Sequence, residues 1–284
     1  MRALVLSGGG VKGSYQVGAL KHLIGELGIT YDIVCGVSVG ALNVSFLSMF
    51  KNDLEGFTQL LKFWQSLDSS KIYKRWFPFG KLHALWKKSL YNSQPLIDLM
   101  HSSIDMNRVR SSGKKVAVGA VSLDTGNYRL FTEQDDCFVD GVLASSSFPS
   151  GLKPIEIDGQ LWTDGGVKHI TPLKAAIDLG ADEVDMIICS PVKTTSKYDS
   201  NAKTITLALR TVDLMTDQII EADLQIANMY NKLVLSGACP NKRFVNIHSI
   251  RPDVDLIDDS LRFDNVEINR MIDIGFIDAL TKYK

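Results

Sequence analysis

No charge of either sign dominates this chain. Its 31 lysines and arginines stand against 32 aspartates and glutamates, so the basic footprint of a nucleic-acid binder is missing and no such partner is expected. Cysteine is scarce, at 4 in 284 residues. Cys35, Cys137, Cys189 and Cys239 contain no CxxC pair, which argues against a disulfide framework and for reduced thiols in a reducing compartment. The 5 histidines form neither HExxH nor any paired-ligand spacing, so no metal site is expected. No apolar run approaches the length of a membrane span. The first one, Ala3 to Leu6, gives way to glycines and Lys12 too soon to be the core of a signal peptide. A soluble cytoplasmic protein is the expectation. What remains is ordinary for a globular chain: 45% hydrophobic and 22% charged residues, long enough to bury a core without staples.

The opening of the chain alternates strand and helix patterns. Ala3-Leu4-Val5-Leu6 reads as a buried strand. A glycine turn and an amphipathic helix over about 12–27 follow, with Val17, Leu20, Leu23, Ile24 and Leu27 at helical spacing. Ile33-Val34-Cys35 is the next strand and 39–50 the next helix, an order that predicts a parallel sheet covered by helices. Further helices are predicted over 53–67, 94–102, 203–235 and 264–283, and strands over 115–121, 127–132, 154–157 and 184–189. Asp158-Gly159 has hairpin-turn chemistry, and Asp140 suits a helix N-cap before 141–146. Residues 193–203 read as a surface loop. No repeat or domain-scale linker interrupts the chain, so a single α/β domain over 1–284 is expected.

Chemistry concentrates in three short motifs. Ser7-Gly8-Gly9-Gly10-Val11-Lys12-Gly13 joins the first strand to the first helix. Consecutive glycines let a backbone turn with positive φ and present its amides to negative charge at a helix start. Phosphate binding and oxyanion stabilisation both use such a loop. Gly8, Gly10 and Gly13 also satisfy GxGxxG, which opens the alternative of an NAD(P)-binding oxidoreductase. That pattern normally has an acid ending the second strand. Here the strand ends in Gly36-Val37-Ser38, with Asp32 at its beginning. A P-loop is excluded because Ser14 stands where lysine is required.

Gly36-Val37-Ser38-Val39-Gly40 is a GxSxG between a strand and a helix, the setting of a nucleophile elbow. The serine needs a base. His248 follows a strand-like run, and His169 lies near an aspartate, so a histidine-containing triad stays open. Asp164-Gly165-Gly166, after Leu161-Trp162-Thr163, offers a carboxylate at a strand end instead.

GGGVKG at 8–13, GVSVG at 36–40 and DGG at 164–166, in that order, resemble the patatin-like phospholipases. Ala144-Ser145-Ser146-Ser147-Phe148-Pro149, with Pro154 beyond it, is similar to the segment preceding that family's aspartate. The resemblance covers about residues 1–190. It implies a three-layer α/β/α fold with a mostly parallel central sheet, and a lipid acyl hydrolase acting on phospholipid or lysophospholipid esters without a cofactor. It also implies a Ser38–Asp164 dyad, with Ser38 as nucleophile and Asp164 as base. The amides of Gly8, Gly9 and Gly10 would form the oxyanion hole, with Gly13, Gly36, Gly40, Gly165 and Gly166 supporting the motifs. Two positions depart from the family pattern: Ser7 where some members carry Asp, and Lys168-His169 where many carry Asn nearby. A fold that has lost turnover and serves as a binding module is the remaining alternative.

Residues 71–91 carry Lys71, Lys74, Arg75, Lys81, Lys87 and Lys88 with no acid, interleaved with Tyr73, Trp76, Phe77, Phe79, Trp86 and Tyr91. Such a mixture suits an anionic membrane interface, with Lys74, Trp76, Trp86, Lys87 and Lys88 facing lipid in transient peripheral contact. A helical cap packed on the core would use the same composition.

Overall fold

The computed structural model describes residues 1–74, 89, 91–149, 151–192, 204–257 and 260–283. In chain order the first half runs β1 (Arg2–Leu6), α1 (Gly13–Leu20), β2 (Ile33–Gly36), α2 (Val39–Ser48), α3 (Asp53–Gln65), α4 (Ser69–Ile72), α5 (Gln94–Ser103) and α6 (Met106–Ser111). It continues with β3 (Lys115–Ser122), β4 (Tyr128–Thr132), α7 (Phe138–Ser145), β5 (Ile155–Ile157), β6 (Gln160–Asp164), α8 (Leu173–Asp178), β7 (Glu183–Ile187), α9 (Thr204–Leu235), β8 (Asn246–Ile250) and α10 (Asn265–Lys282).

The eight strands among the described residues join one sheet, ordered β5-β6-β3-β2-β1-β7-β8 with β4 also on β3. The β3–β2–β1–β7–β8 run is parallel throughout, and β4, β5 and β6 are antiparallel additions at one end. Period-two alternation divides the strand side chains between two faces. Leu4, Leu6, Val34, Val116 and Val118 enter one buried cluster with α1, α2, α3, α7 and α10 residues. Ala3, Val5, Ile33, Cys35 and Ala117 enter another with Leu173, Ala176 and Ile220 from α8 and α9. Helices therefore cover both faces, giving the expected three layers.

One crossing of strands positions the site. β3 pairs with β4 through Ala117–Val121, with β2 through Lys115–Val118 and with β6 through Ala120–Ser122. Because a strand has two edges and β4 fills one, β2 and β6 share the other. They meet end to end: Gly36 lies opposite Val118, and Asp164 opposite Ala120.

In the middle of β7 the fully buried Asp185 accepts from Arg2 Nε at 2.8 Å, Tyr31 Oη at 2.9 Å and Tyr283 Oη at 2.9 Å. This ties both chain ends to the sheet centre. Lys114 and Asp53, also buried, pair at 2.9 Å where α3 begins.

Several expectations need correction. The helix after the glycine loop begins as a 3₁₀ turn over Gly10–Lys12, is α-helical over Gly13–Leu20 and continues as wider π-turns over Lys21–Glu26. Asp140 does not cap a helix: α7 starts at Phe138, and Asp140 lies in its first turn, paired with His101 at 3.3 Å. Asp158 does occupy the expected turn, with φ 53°. Of the basic-aromatic segment, Lys74 is described, its backbone bonded to that of Asn92 in both directions at 2.9 Å. Trp76, Trp86, Lys87 and Lys88 lie outside the described residues, as does the expected loop over 193–203. Among the described residues no helix is long and apolar enough to cross a membrane.

Candidate active site

Ser38 leaves β2 with φ 56° and ψ −127°, a conformation that costs a non-glycine residue about 1–3 kcal/mol and is held only when its surroundings insist. They do. The Ser38 N–H donates to Ser145 Oγ at 2.9 Å, and Ser146 Oγ donates to the Ser38 carbonyl at 3.2 Å. The turn is too tight for side chains on its flanks: a Cβ on Gly36 would stand 2.3 Å from the Gly40 carbonyl oxygen, and one on Gly40 2.3 Å from that of Leu6. Helix α2 starts at the next residue, so its positive end faces the serine.

Asp164 arrives from the opposite direction at the end of β6. Its N–H donates to the Ser147 carbonyl at 3.1 Å, and the neighbouring Thr163 hydroxyl donates to the same oxygen at 2.8 Å. The run Ser145-Ser146-Ser147 therefore grips both the Ser38 turn and the Asp164 strand. The Asp164 carboxylate accepts from the Gly166 N–H at 2.7 Å, and the Ser38 side chain in the same cleft favours its ionised form. Only 3% exposed, the carboxylate is pushed up to about 7 by burial, against the lowering effect of those two neighbours.

The glycine loop forms the wall beside Ser38. A Cβ on Gly8 would stand 3.1 Å from Ser38 Cβ and 2.4 Å from Ile170 Cδ1. Gly9 and Gly10 have φ of 153° and 58°, the second a left-handed turn that favours glycine. The Gly8 N–H already donates to the Ile170 carbonyl at 3.1 Å. Gly8 thus serves the loop by its small size, and its amide is not free for an oxyanion. The Gly9 and Gly10 amides have no carbonyl acceptor among the described turn and loop contacts.

These residues open into a cleft whose lining includes Gly8, Gly9, Gly10, Ser38 and Asp164. Leu42, Leu96, Phe148, Leu152 and Ile220 make its walls largely apolar, and Lys12, Asp217 and Asp255 add charge. No histidine lines it among the described residues. His169 is exposed, edge-on to Tyr128 at 4.9 Å, and His248 sits on β8 with Nε2 2.9 Å from Asn246 Nδ2. Asp32 accepts from the Arg2 N–H at 3.0 Å at the start of β2, the wrong end of that strand for a ribose-binding acid. Among the described residues no group of three or more His, Cys, Asp or Glu side chains could hold a metal.

Sequence reasoning missed a buried polar chain behind the loop, formed by Gln16, Asn43, Trp64 and Cys189. Gln16 and Asn43 on helices otherwise facing the core were the available signal, since polar groups there need partners.

The family description "Patatin-like phospholipase" matches residues 4–177. The chain belongs to the patatin-like phospholipase family. It is 27% identical over 197 residues to the uncharacterized protein YjjU of Escherichia coli K12, covering 66% of this chain and 52% of that protein. An uncharacterized protein of Acanthamoeba polyphaga mimivirus is 24% identical over 256 residues, or 85% of this chain and 76% of the relative. The neuropathy target esterase sws of Drosophila melanogaster is 29% identical over 197 residues, 64% of this chain and 12% of that protein. The chain thus matches about half of the first of these relatives and a small part of the third. Among solved structures, VipD from Legionella pneumophila shares the fold with a TM-score of 0.50 at 13% identity, over 99% of this chain and 66% of VipD.

Proposed function

We propose that this protein hydrolyses carboxylic esters of phospholipids or lysophospholipids through a Ser38–Asp164 dyad. The observation that carries the proposal is that Ser38, held in a strained elbow, shares an apolar cleft with the buried Asp164 carboxylate and with no histidine among the described lining residues. A carboxyl raised to about 7 is half ionised at neutral pH and is basic enough to accept a proton there.

Ser38 Oγ attacks the ester carbonyl carbon as its proton passes to Asp164. The negative charge that forms on the carbonyl oxygen is met by the Gly9 and Gly10 amides and by the start of α2. Collapse breaks the bond to the alcohol, which leaves with the proton from Asp164. Water, giving its proton to Asp164, then attacks the acyl-serine. The fatty acid departs, and Ser38 recovers a proton from Asp164. Leu42, Leu96, Phe148, Leu152 and Ile220 offer the acyl chain an apolar wall.

The basic-aromatic segment 71–91 is proposed to carry the cleft to the lipid surface by transient peripheral contact. A fluorophosphonate probe tests the chemistry: it should label wild type at Ser38, and a phospholipid panel read by mass spectrometry should show fatty acid release. No labelling at Ser38 would reject the dyad.

A further inference from the structure

An oxyanion hole works only if its amides already point where the charge develops. The loop here shows what aims them. In a trans peptide the C=O and the following N–H point to opposite sides, so fixing one fixes the other. The Gly8 carbonyl accepts from Ser7 Oγ at 2.9 Å, which sets the direction of the Gly9 N–H. The Gly9 carbonyl accepts from the Lys12 N–H at 3.2 Å, which sets that of the Gly10 N–H.

The Ser7 hydroxyl is itself directed. It accepts from the Cys189 N–H at 2.9 Å, so its own proton is free to go to Gly8. Behind it runs a buried chain of side chains. Trp64 Nε1 donates to Asn43 Oδ1 at 2.7 Å, and Asn43 Nδ2 donates to Gln16 Oε1 at 2.8 Å. Gln16 Nε2 donates to the Ser7 carbonyl at 2.7 Å and to Cys189 Sγ at 3.2 Å. Ser7, Gln16, Asn43 and Trp64 are each at most 1% exposed, where an unmade hydrogen bond is costly and a made one is rigid. Asn43 lies on α2, the helix that begins beside Ser38, and Gln16 on α1, the helix that follows the glycine loop. The chain therefore couples the donor loop to the nucleophile's own helix.

We propose that Ser7 and Gln16 are positioning residues, holding the Gly8–Gly9 peptide so that the Gly9 amide is aimed before substrate arrives. This rests on the acyl-hydrolase reading above. It also gives the departure at position 7 a physical sense: a serine hydroxyl accepts from Cys189 and donates to Gly8 at once, and an ionised aspartate accepts only.

The test uses the full chain, a short-chain soluble ester and a fluorophosphonate probe. Ser7→Ala should lower kcat about tenfold, less than the hundredfold or more of an abolished oxyanion donor, with KM within about twofold. The rate of Ser38 labelling should fall in parallel. Ser48→Ala is the control for losing a buried hydroxyl, since Ser48 Oγ bonds only within α2, to the Ser45 carbonyl at 2.8 Å. It should keep wild-type kcat whatever its melting temperature. Gln16→Glu is the second variant should Ser7→Ala fail to fold. It removes the donor to the Ser7 carbonyl, keeps an acceptor for Asn43, and should show the same kcat loss at unchanged KM. If both variants fold and keep wild-type kcat and labelling, or lose only KM, the positioning role is wrong while the dyad stands. If wild type itself is not labelled at Ser38, the acyl-hydrolase reading fails and this inference falls with it.

Discussion

Gly36 and Asp164 lie on the same edge of β3, opposite Val118 and Ala120, with Gly119 between those two positions. The strand leading to Ser38 and the strand ending in Asp164 run toward each other along one neighbour and stop where they meet. A Cβ on Gly165 would stand 2.2 Å from the Gly119 carbonyl oxygen, so the chain turns off β3 against its backbone. Ser38 and Asp164 are thus brought together by sheet register, which packing on both faces of the sheet enforces.

The dyad predicts strongly non-additive losses. Ser38→Ala and Asp164→Asn should each abolish ester hydrolysis in a folded protein, and the double variant should be no worse than either single one. His169→Ala and His248→Ala should retain most activity, because neither imidazole lines the cleft. Steady-state assays on a soluble ester check this. Loss of activity in a folded His248→Ala protein would restore a histidine to the mechanism.

The elbow predicts a stability difference between two inactive proteins. Ser38→Gly and Ser38→Ala both lose the hydroxyl, and only glycine adopts φ 56° and ψ −127° without strain. Ser38→Gly should therefore be the more stable by about 1 kcal/mol. Urea unfolding of the pair measures the difference. Equal midpoints would mean that the turn relaxes when the hydroxyl is gone.

The basic-aromatic segment predicts salt-sensitive lipid binding. Reversing Lys74, Lys87 and Lys88 to Glu should weaken binding to anionic vesicles, at about 1 kcal/mol for each lysine near the surface. High salt should mimic the reversal. Hydrolysis of a small soluble ester should be spared. Unchanged co-sedimentation would leave 71–91 as a packed cap.

Much of this arrangement was legible in the sequence, for reasons particular to each part. Leu4 and Leu6 against Ala3 and Val5 are all apolar because both sheet faces are covered, so the strand read as a buried run. The glycine loop, GxSxG and DGG were legible because turns this tight exclude side chains. The fate of the Gly8 amide was not legible, since its acceptor is Ile170, 162 residues away in sequence and adjacent only after β6 and α8 are placed. Ser145 and Ser146 were visible as part of a family-like segment, but their grip on Ser38 depends on where α7 ends. Asp140 misled because N-cap chemistry is local, whereas α7 starts two residues earlier, at Phe138, which is buried in the core.

The buried carboxyl predicts opposite pH trends for activity and stability. Asp164 must be ionised to accept the Ser38 proton, so kcat/KM on a soluble ester should rise with pH and level off, with a midpoint near its value of about 7. Stability should move the other way. In the unfolded chain the same carboxyl titrates near ~3.9, so between that value and about 7 the folded protein holds a proton that the unfolded chain releases. Folding then loses ground as pH rises through this window, because above it the native state must bury a charge. Asp164→Asn keeps the shape and removes the charge. Its melting temperature relative to wild type should be close to even at pH 4 and clearly higher at pH 8. Scanning calorimetry of both proteins across that range decides the point. A difference that stays flat with pH would mean that Asp164 is ionised throughout and that its burial leaves it an ordinary carboxylate. In that case the activity midpoint near 7 would have to belong to another group.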